Sequence, residues 1–434
     1  MTTHRIPEGP AHRSPAVHRF RRSRAAAVVA GAAALAMLAA CSSGGSAGDN
    51  GSSSSSSSAG GGPAASSQPN TASGDAPAGG EIKLGISVPL SGSVGSSCGP
   101  MNKAMLAWFD HVNQQGGVNG AKISADTRDD GYTAARAVTN TKAFIQEKVV
   151  AVTGQCGSIQ PPAQVPLVDA AKIPYLFVFG ASTKLLNPLS PMYFNLMPAY
   201  GEQLVAAIPW VFEKYGKGTV AIVSTSTPDA PTTDKAVKEA VEKAGAELAD
   251  TLTAPPGTAD FTPYVLKLKD KAPDYVVLDM TPQDGARLTE AMTANGFSPN
   301  KYLLGSSAVS QQAFLDGVSK ALQPKLLVTS DVIAPADAGS TECATVLKAA
   351  KVDVTSVTLR GCGTAQVVVK ALQEAGSPVT SQGIVDAIEK WNDVKASEIY
   401  PPVSFSHTSH VGVKDLFIFG VKDGTFEQVG SLGA

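Results

Sequence analysis

An α/β protein of two Rossmann-like, doubly wound lobes is the fold class that the sequence predicts, on three observations. Beyond residue 80, short runs of apolar and β-branched residues alternate with segments of helical periodicity. The alternation runs through once, pauses at a proline and runs through again. The length of 434 residues is enough for two or three domains, at about 100–200 residues each. Such alternation builds a parallel sheet covered by helices on both faces, with right-handed crossovers.

Taken in order, residues 82–88 (Ile-Lys-Leu-Gly-Ile-Ser-Val) predict the first strand, and residues 101–114 a helix with an apolar stripe through Ala104, Met105, Phe109 and Val112. Strands follow at 121–127, 149–153 and 174–179, separated by helices at 133–146 and 160–171. After Pro198 the second series has helices at 202–215, 230–244, 261–270 and 283–295 and strands at 219–223, 247–253, 275–279, 301–305 and 325–330. Helices at 343–350, 362–375 and 380–391 come next. Strands at 413–421 and 425–429 flank Lys422-Asp423-Gly424, and an Asp-Gly between apolar strands is a hairpin signal.

The first 80 residues have another texture. Arg19, Arg21, Arg22 and Arg24 precede sixteen uncharged residues, 25–40, the basic-then-apolar order of a secretory signal peptide and too short for a comfortable membrane span. Leu38-Ala39-Ala40-Cys41 resembles the lipobox of bacterial lipoproteins. That resemblance implies cleavage after residue 40 and a lipid on the Cys41 sulfur. Residues 42–80 are dominated by Ser, Gly, Ala and Pro, so 41–80 reads as a lipidated cysteine and a flexible tether with a reach of roughly 35 Å.

Charge and composition exclude several classes. Of 35 basic and 37 acidic residues, six arginines and one acid lie within the first 40, leaving 29 against 36 and a net −7 on the rest. An acidic body is a poor partner for nucleic acid. Only His111, His407 and His410 lie beyond residue 40, which leaves few ligands for a metal, and neither metal nor cofactor is expected. No G-x-S-x-G elbow, phosphate-binding G-x-x-x-x-G-K-[ST], H-E-x-x-H or dinucleotide G-x-G-x-x-G opening a helix after a strand is expected to serve chemistry here, so no enzyme activity is expected. The adjacent Asp129 and Asp130 read as solvated loop charge, and His407 and His410 as structural or exposed.

Ligands of open α/β sheets bind outside the carboxyl ends of the strands. Three loops there are rich in Gly and small hydroxyl residues: 89–99 after the first strand, Gly154-Gln-Cys156-Gly157-Ser158 after the third and Gly180-Ala181-Ser182-Thr183 after the fourth. Backbone N–H groups and hydroxyls at such starts form a site for a carboxylate or polar headgroup. Any single serine there is accounted for by helix capping; three loops converging on one edge point to a ligand.

These residues resemble the branched-chain amino-acid-binding proteins of ABC importers, the Leu/Ile/Val-binding family with the type I periplasmic-binding fold. The likeness rests on residues 82–92, on Asn113-Gln-Gln-Gly-Gly-Val-Asn-Gly120, on Gly154 to Gln160 leading to Ile173-Pro174, and on Gly180-Ala-Ser-Thr183. It implies a three-crossing hinge, with crossings near 198–200, 332–336 and 400–404. The lobes are then 81–199 plus 334–401, and 200–333 plus 402–434.

Carried over, the headgroup site falls on Cys156, Gly157, Ser158, Ala181, Ser182 and Thr183. The family's second-lobe Tyr-Gly segment is replaced here by Thr225-Ser-Thr-Pro-Asp229, and the acid that would pair with a ligand ammonium is replaced by Ser306-Ser307. Asp279 at a strand end, or Asp229, is the substitute acid, the competing role for Asp279 being to cap the following helix; Ser307 is retained as a candidate contact. With Cys41 lipidated, four cysteines remain and three pairings are open. Loop positions favour Cys98 with Cys156 at the cleft edge, leaving Cys343 with Cys362.

The expected function is an exported, lipid-anchored, monomeric solute-binding protein on the outer face of the cytoplasmic membrane. It would close on a small polar or amphipathic solute, an amino acid or related amide or carboxylate, and present it to a membrane permease. The alternatives are a ligand sensor for a membrane receptor and, from another class, a lipoprotein hydrolase.

Overall fold

A computed structural model describes residues 75–76, 80–92, 94–180, 185–186 and 188–433. The signal segment, Cys41 and nearly all of the tether lie outside these residues. The described residues belong to one compact unit, 68–434.

The chain enters through β1 (Asp75–Ala76) and β2 (Glu81–Val88), then α1 (Gly95–Gln114), β3 (Lys122–Asp129), α2 (Ala134–Gln146), β4 (Ala151–Thr153), α3 (Pro161–Ala171), β5 (Tyr175–Leu176) and β6 (Tyr193–Phe194). Strands β3-β2-β4-β5-β6 form a five-stranded parallel sheet in that order. Ile82, Leu84, Ile86 and Val88 are fully buried on β2, as a central strand covered on both faces requires.

After α4 (Tyr200–Tyr215) come β7 (Val220–Thr225), α5 (Ala230–Lys243), β8 (Leu248–Ala254), α6 (Thr262–Lys271), β9 (Tyr275–Asp279), α7 (Pro282–Ala294), β10 (Tyr302–Gly305), α8 (Gln312–Leu315) and β11 (Leu326–Ser330). The chain then runs through α9 (Glu342–Ala349), α10 (Ser356–Glu374), β12 (Val379–Thr380), α11 (Ser381–Ile388) and the hairpin β13 (Leu416–Lys422) and β14 (Thr425–Leu432). The second sheet has the order β14-β13-β11-β10-β9-β7-β8, parallel from β11 to β8 and antiparallel at the hairpin. Asp423 and Gly424 both have positive φ, 51° and 78°, the backbone of a type I′ turn that sets strand twist and register. Thr281, Thr341, Thr355 and Thr380 cap α7, α9, α10 and α11, each accepting the N–H three residues on.

Helices α9 to α11 return to the first sheet. α10 is buried almost all round, which its run of Val, Leu, Ala and Gly permits, and it packs along α1. Cys343 on α9 is bonded to Cys362 on α10, and Cys98 on α1 to Cys156 after β4, with Cα–Cα distances of 5.9 and 5.8 Å. This is the pairing that the loop positions favour.

Three stretches join the lobes. Residues 195–200 lead from β6 to α4. Residues 331–336 lead out of β11, where Ile333 N–H donates to Ile399 O at 3.1 Å. The third passage is later than expected near 400–404. Val403 bridges Val394 and Val413, Asn195 bridges Val411, and Val413 N–H donates to Leu196 O at 2.7 Å, so 403–413 stays beside the first sheet until β13 begins. His410 is buried there, its ring 3.9 Å from that of Phe194, whereas His407 is exposed and pairs with Glu389.

Arg360 on α10 and Asp331 at the end of β11 form an ion pair across the second passage, each side chain only 1% exposed. Two bonds run from Arg360 Nε to the carboxylate at 3.1 and 3.2 Å, and a third from Nη2. Breaking a buried pair from one side leaves an uncompensated charge. Arg360→Met is therefore expected to lower unfolding free energy by about 3–5 kcal/mol and Arg360→Met with Asp331→Asn by much less, as denaturant titration of both variants checks.

Candidate functional site

Strands β2, β3 and β4 run parallel and end at one edge, so the loops after them meet. Asp130, one residue past β3, is fully buried. Its carboxylate accepts from Ser87 Oγ on β2 at 3.0 Å, from the Tyr132 N–H at 2.9 Å, and from Gln155 Nε2 and Gln160 Nε2 beyond β4 at 3.3 and 3.2 Å. Its neighbour Asp129 accepts from the N–H groups of Leu90, Ser91 and Gly131 and from Ser91 Oγ. Desolvation pushes the Asp129 carboxyl up, but the bonds from Ser91, Leu90 and Gly131 outweigh it and hold the group well below the usual carboxylate range. The two aspartates, expected to be solvated loop charge, instead clamp the three loops together.

The loop 154–158 lies against residues 179–180. Gly157 N–H donates to Phe179 O at 2.7 Å, and Phe179 N–H to Gln155 O at 2.8 Å. Gly157 and Gly180 have φ of 121° and 144°. A Cβ at 180 would stand 2.6 Å from the Gly157 carbonyl, and one at 157 would stand 2.6 Å from the Tyr132 ring. Only glycine permits this approach. The Cys98–Cys156 bond fastens the first turn of α1 to the same loop.

Facing this wall, the second lobe supplies Thr225 at the end of β7 and Thr227 beyond it, Asp229 and Thr233 at the start of α5, and Asp279 at the end of β9 with Met280 to Pro282 beyond it. Between the lobes lies a cavity of about 850 Å³, counting its open mouth. It is lined by Ser97, Cys98, Tyr132, Cys156, Gly157, Ser158 and Phe179 from the first lobe and Tyr200, Thr225, Asp229, Asp279 and Gln311 from the second, among others. The described lining residues include two aspartates and no Lys, Arg or His.

Asp279 carries the sharpest electrostatic signature. Desolvation, reinforced by the like charges of Asp234 and Asp229, pushes its carboxyl up to about 7 against an opposing hydrogen bond from Thr233. Its alternative role as a helix cap is not taken up: Thr281 caps α7, its Oγ1 accepting the Asp284 N–H at 3.2 Å. Asp284 is itself buried and accepts from Thr281 Oγ1 and Gly257 N–H, serving the loop rather than the cavity.

Of the residues expected to form the site, Cys156, Gly157, Ser158, Asp229 and Asp279 line the cavity. Ala181, Ser182 and Thr183 lie outside the described residues. Ser307 is fully buried, its N–H donating to Gln203 Oε1 at 3.0 Å, and only its neighbour Ala308 reaches the cavity. Sequence reasoning missed Tyr132, Tyr200, Phe179, Ser97 and Gln311. Ser97 had a signal, against the expectation of no such elbow: Gly95-Ser-Ser97-Cys-Gly99 fits the G-x-S-x-G spacing of a hydrolase nucleophile elbow. It lies in the first turn of α1, however, and among the described residues Ser97 Oγ has no hydrogen-bonded base.

Two α/β lobes joined by three passages around a lined cleft define a two-lobed ligand-binding protein. A sequence profile described as "Periplasmic binding protein" matches residues 81–425, and the chain belongs to that family. It is 22% identical over 256 residues to a Leu/Ile/Val-binding protein homolog 7 of Brucella suis, covering 57% of this chain and 64% of that one, so the match spans under two thirds of the relative. A branched-chain amino acid ABC transporter protein from Thermus thermophilus with bound valine superposes with TM-score 0.72 at 18% identity, over 82% of this chain and 97% of that one. An ABC transporter solute-binding protein from Rhodopseudomonas palustris in complex with 3,4-dihydroxybenzoic acid superposes with TM-score 0.69 at 19% identity, over 82% and 98%. The fold is therefore the type I periplasmic-binding architecture.

A carboxyl whose folded pKa is raised costs stability above its unfolded pKa, increasingly up to the folded value. Asp279→Asn is expected to stabilise the ligand-free protein by about 2–4 kcal/mol at pH 8, with the gain shrinking towards pH 5, in thermal melts at both pH values.

Proposed function

We propose that the protein is the lipid-anchored, extracytoplasmic solute-binding component of an ABC importer, closing as a monomer on an amino acid or a related amide or carboxylate. The observation that carries this reading is the placement of Asp279, desolvated and within a cleft between two lobes, opposite the Cys156-Gly157-Ser158 loop. In this reading the loop, with Ala181, Ser182 and Thr183, holds the carboxylate or polar head. Asp279, helped by Asp229, meets the ammonium from the other lobe. Ligand contacts to both lobes select the closed state, which a permease then recognises. The relatives named for leucine, isoleucine and valine, and the structure with bound valine, support this ligand class.

A second reading is favoured by the same carboxyl. With a pKa near 7 it is available in protonated form, able to donate to an amine-free acid, the kind of ligand held by the Rhodopseudomonas protein. pH separates the two. A cationic ligand needs ionised Asp279, so its affinity is expected to rise about tenfold per unit from pH 5 towards 7 and level off above. An amine-free acid relying on the proton would weaken above pH 7 instead. Isothermal titration across pH 5–8 reads the sign.

Anchoring is tested separately. Cys41→Ser is expected to abolish fatty-acid labelling and move the protein from the membrane to the soluble fraction, with ligand binding by residues 81–434 unchanged.

A further inference from the structure

Two side chains lining the cleft carry polar atoms that no described residue satisfies. Ser97, in the first turn of α1, is 6% exposed, lines the cavity and has no partner for its Oγ among the described residues. Gln311, between β10 and α8 on the other lobe, is 2% exposed and lines the cavity too. Its Nε2 donates to Ala308 O at 2.8 Å, which fixes the orientation of the amide, and its Oε1 has no partner among the described residues. Buried polar atoms are almost always hydrogen-bonded, and one left unpaired costs about 1–3 kcal/mol. Each lobe therefore contributes to the cavity lining one residue with a buried, unmet polar atom, in addition to Asp279.

The chemistry of each atom limits what can meet it. A glutamine Oε1 is an acceptor only, so it calls for an N–H or O–H donor; a serine hydroxyl serves as either. An aliphatic side chain such as that of leucine or valine would cover both atoms and satisfy neither. Sites built to hydrogen-bond a substrate group reject the analogue lacking it far more strongly than apolar pockets sort by size.

We propose that the ligand is polar at both ends: besides the head that faces Asp279 and the 156–158 loop, its side chain ends in a hydrogen-bond donor accepted by Gln311 Oε1, with Ser97 Oγ as a second contact. This rests on the solute-binding reading and narrows it from amino acids in general to those with a hydroxyl or amide side chain, setting this cleft apart from one for Leu, Ile and Val. Tyr132, Tyr200 and Phe179 supply the apolar walls between the two ends.

Isothermal titration of the soluble body with two isosteric pairs tests it: L-asparagine against L-leucine, and L-threonine against L-valine. The expected result is that at least one polar member binds at least 100-fold more tightly than its aliphatic partner. Ser97→Ala and Gln311→Met each reduce that ratio tenfold or more. Ser97→Ala removes a buried atom with no partner among the described residues, so its ligand-free melting temperature should equal or exceed that of wild type, and it serves as the control if Gln311→Met folds poorly. Tighter or equal binding of leucine or valine, with Ser97→Ala neutral, overturns the proposal while leaving the solute-binding reading standing. Failure of all four amino acids to bind overturns the proposal together with the amino-acid reading beneath it.

Discussion

The buried carboxylate of Asp130 is the constraint on which the first-lobe wall of the cleft depends. Burying a charge is expensive unless every lone pair finds a donor, and here the donors come from β2, from the turn after β3 and from the stretch after β4. One side chain thus dictates where three loops sit. Its consequences reach the cavity directly: the Asp130 bond to the Tyr132 N–H sets that ring beside Gly157, and the bonds to Gln155 and Gln160 bracket the 156–158 loop. Loops so rich in glycine and serine would otherwise be free to wander; anchored to one anion, tied by Cys98–Cys156 and threaded through Gly157 and Gly180, they make a preformed surface.

A second buried charge organises the relation between the lobes. Arg360 lies 4.4 Å from the centre of the Phe179 ring while holding Asp331 at the second passage. Phe179 is a wall of the cavity, so a contact chain runs from the cleft through one ring and one guanidinium to the hinge. In the proposed closure the Asp279 wall moves towards the 156–158 loop, and this pair stands at the second passage between the two lobes. The ligand shifts that equilibrium only through contacts that exist on both sides at once.

Most of the scaffold was legible in the sequence. Periodicity located the long helices and strands, because each shows either a continuous apolar run or a 3.6-residue stripe, and the Asp423-Gly424 turn announced its hairpin. The departures have physical reasons. β6 is two residues long, Tyr193–Phe194, too short for any period to register. α10 begins at Ser356, capped by Thr355, six residues before its expected start, because a helix buried on all sides offers no polar face to mark its edge. The late third passage depends on backbone pairing between 411–413 and 195–196, which no local pattern encodes. At the site, small-residue loops were readable because their chemistry is backbone chemistry. Gln311 and Tyr132 were not, since only the tertiary fold brings them to the cleft. The Asp129-Asp130 pair was misread because two adjacent carboxylates in a loop carry no sign of burial.

The ligand proposed for this cleft is a small, singly bound solute with a protonatable nitrogen facing Asp279. Native mass spectrometry of the protein released under gentle conditions from the cells that make it tests this most directly. The expected spectrum shows a one-to-one adduct whose fragment is an amino acid or another amine, lost in Asp279→Asn. An adduct that is an amine-free acid, retained by Asp279→Asn, would contradict the account.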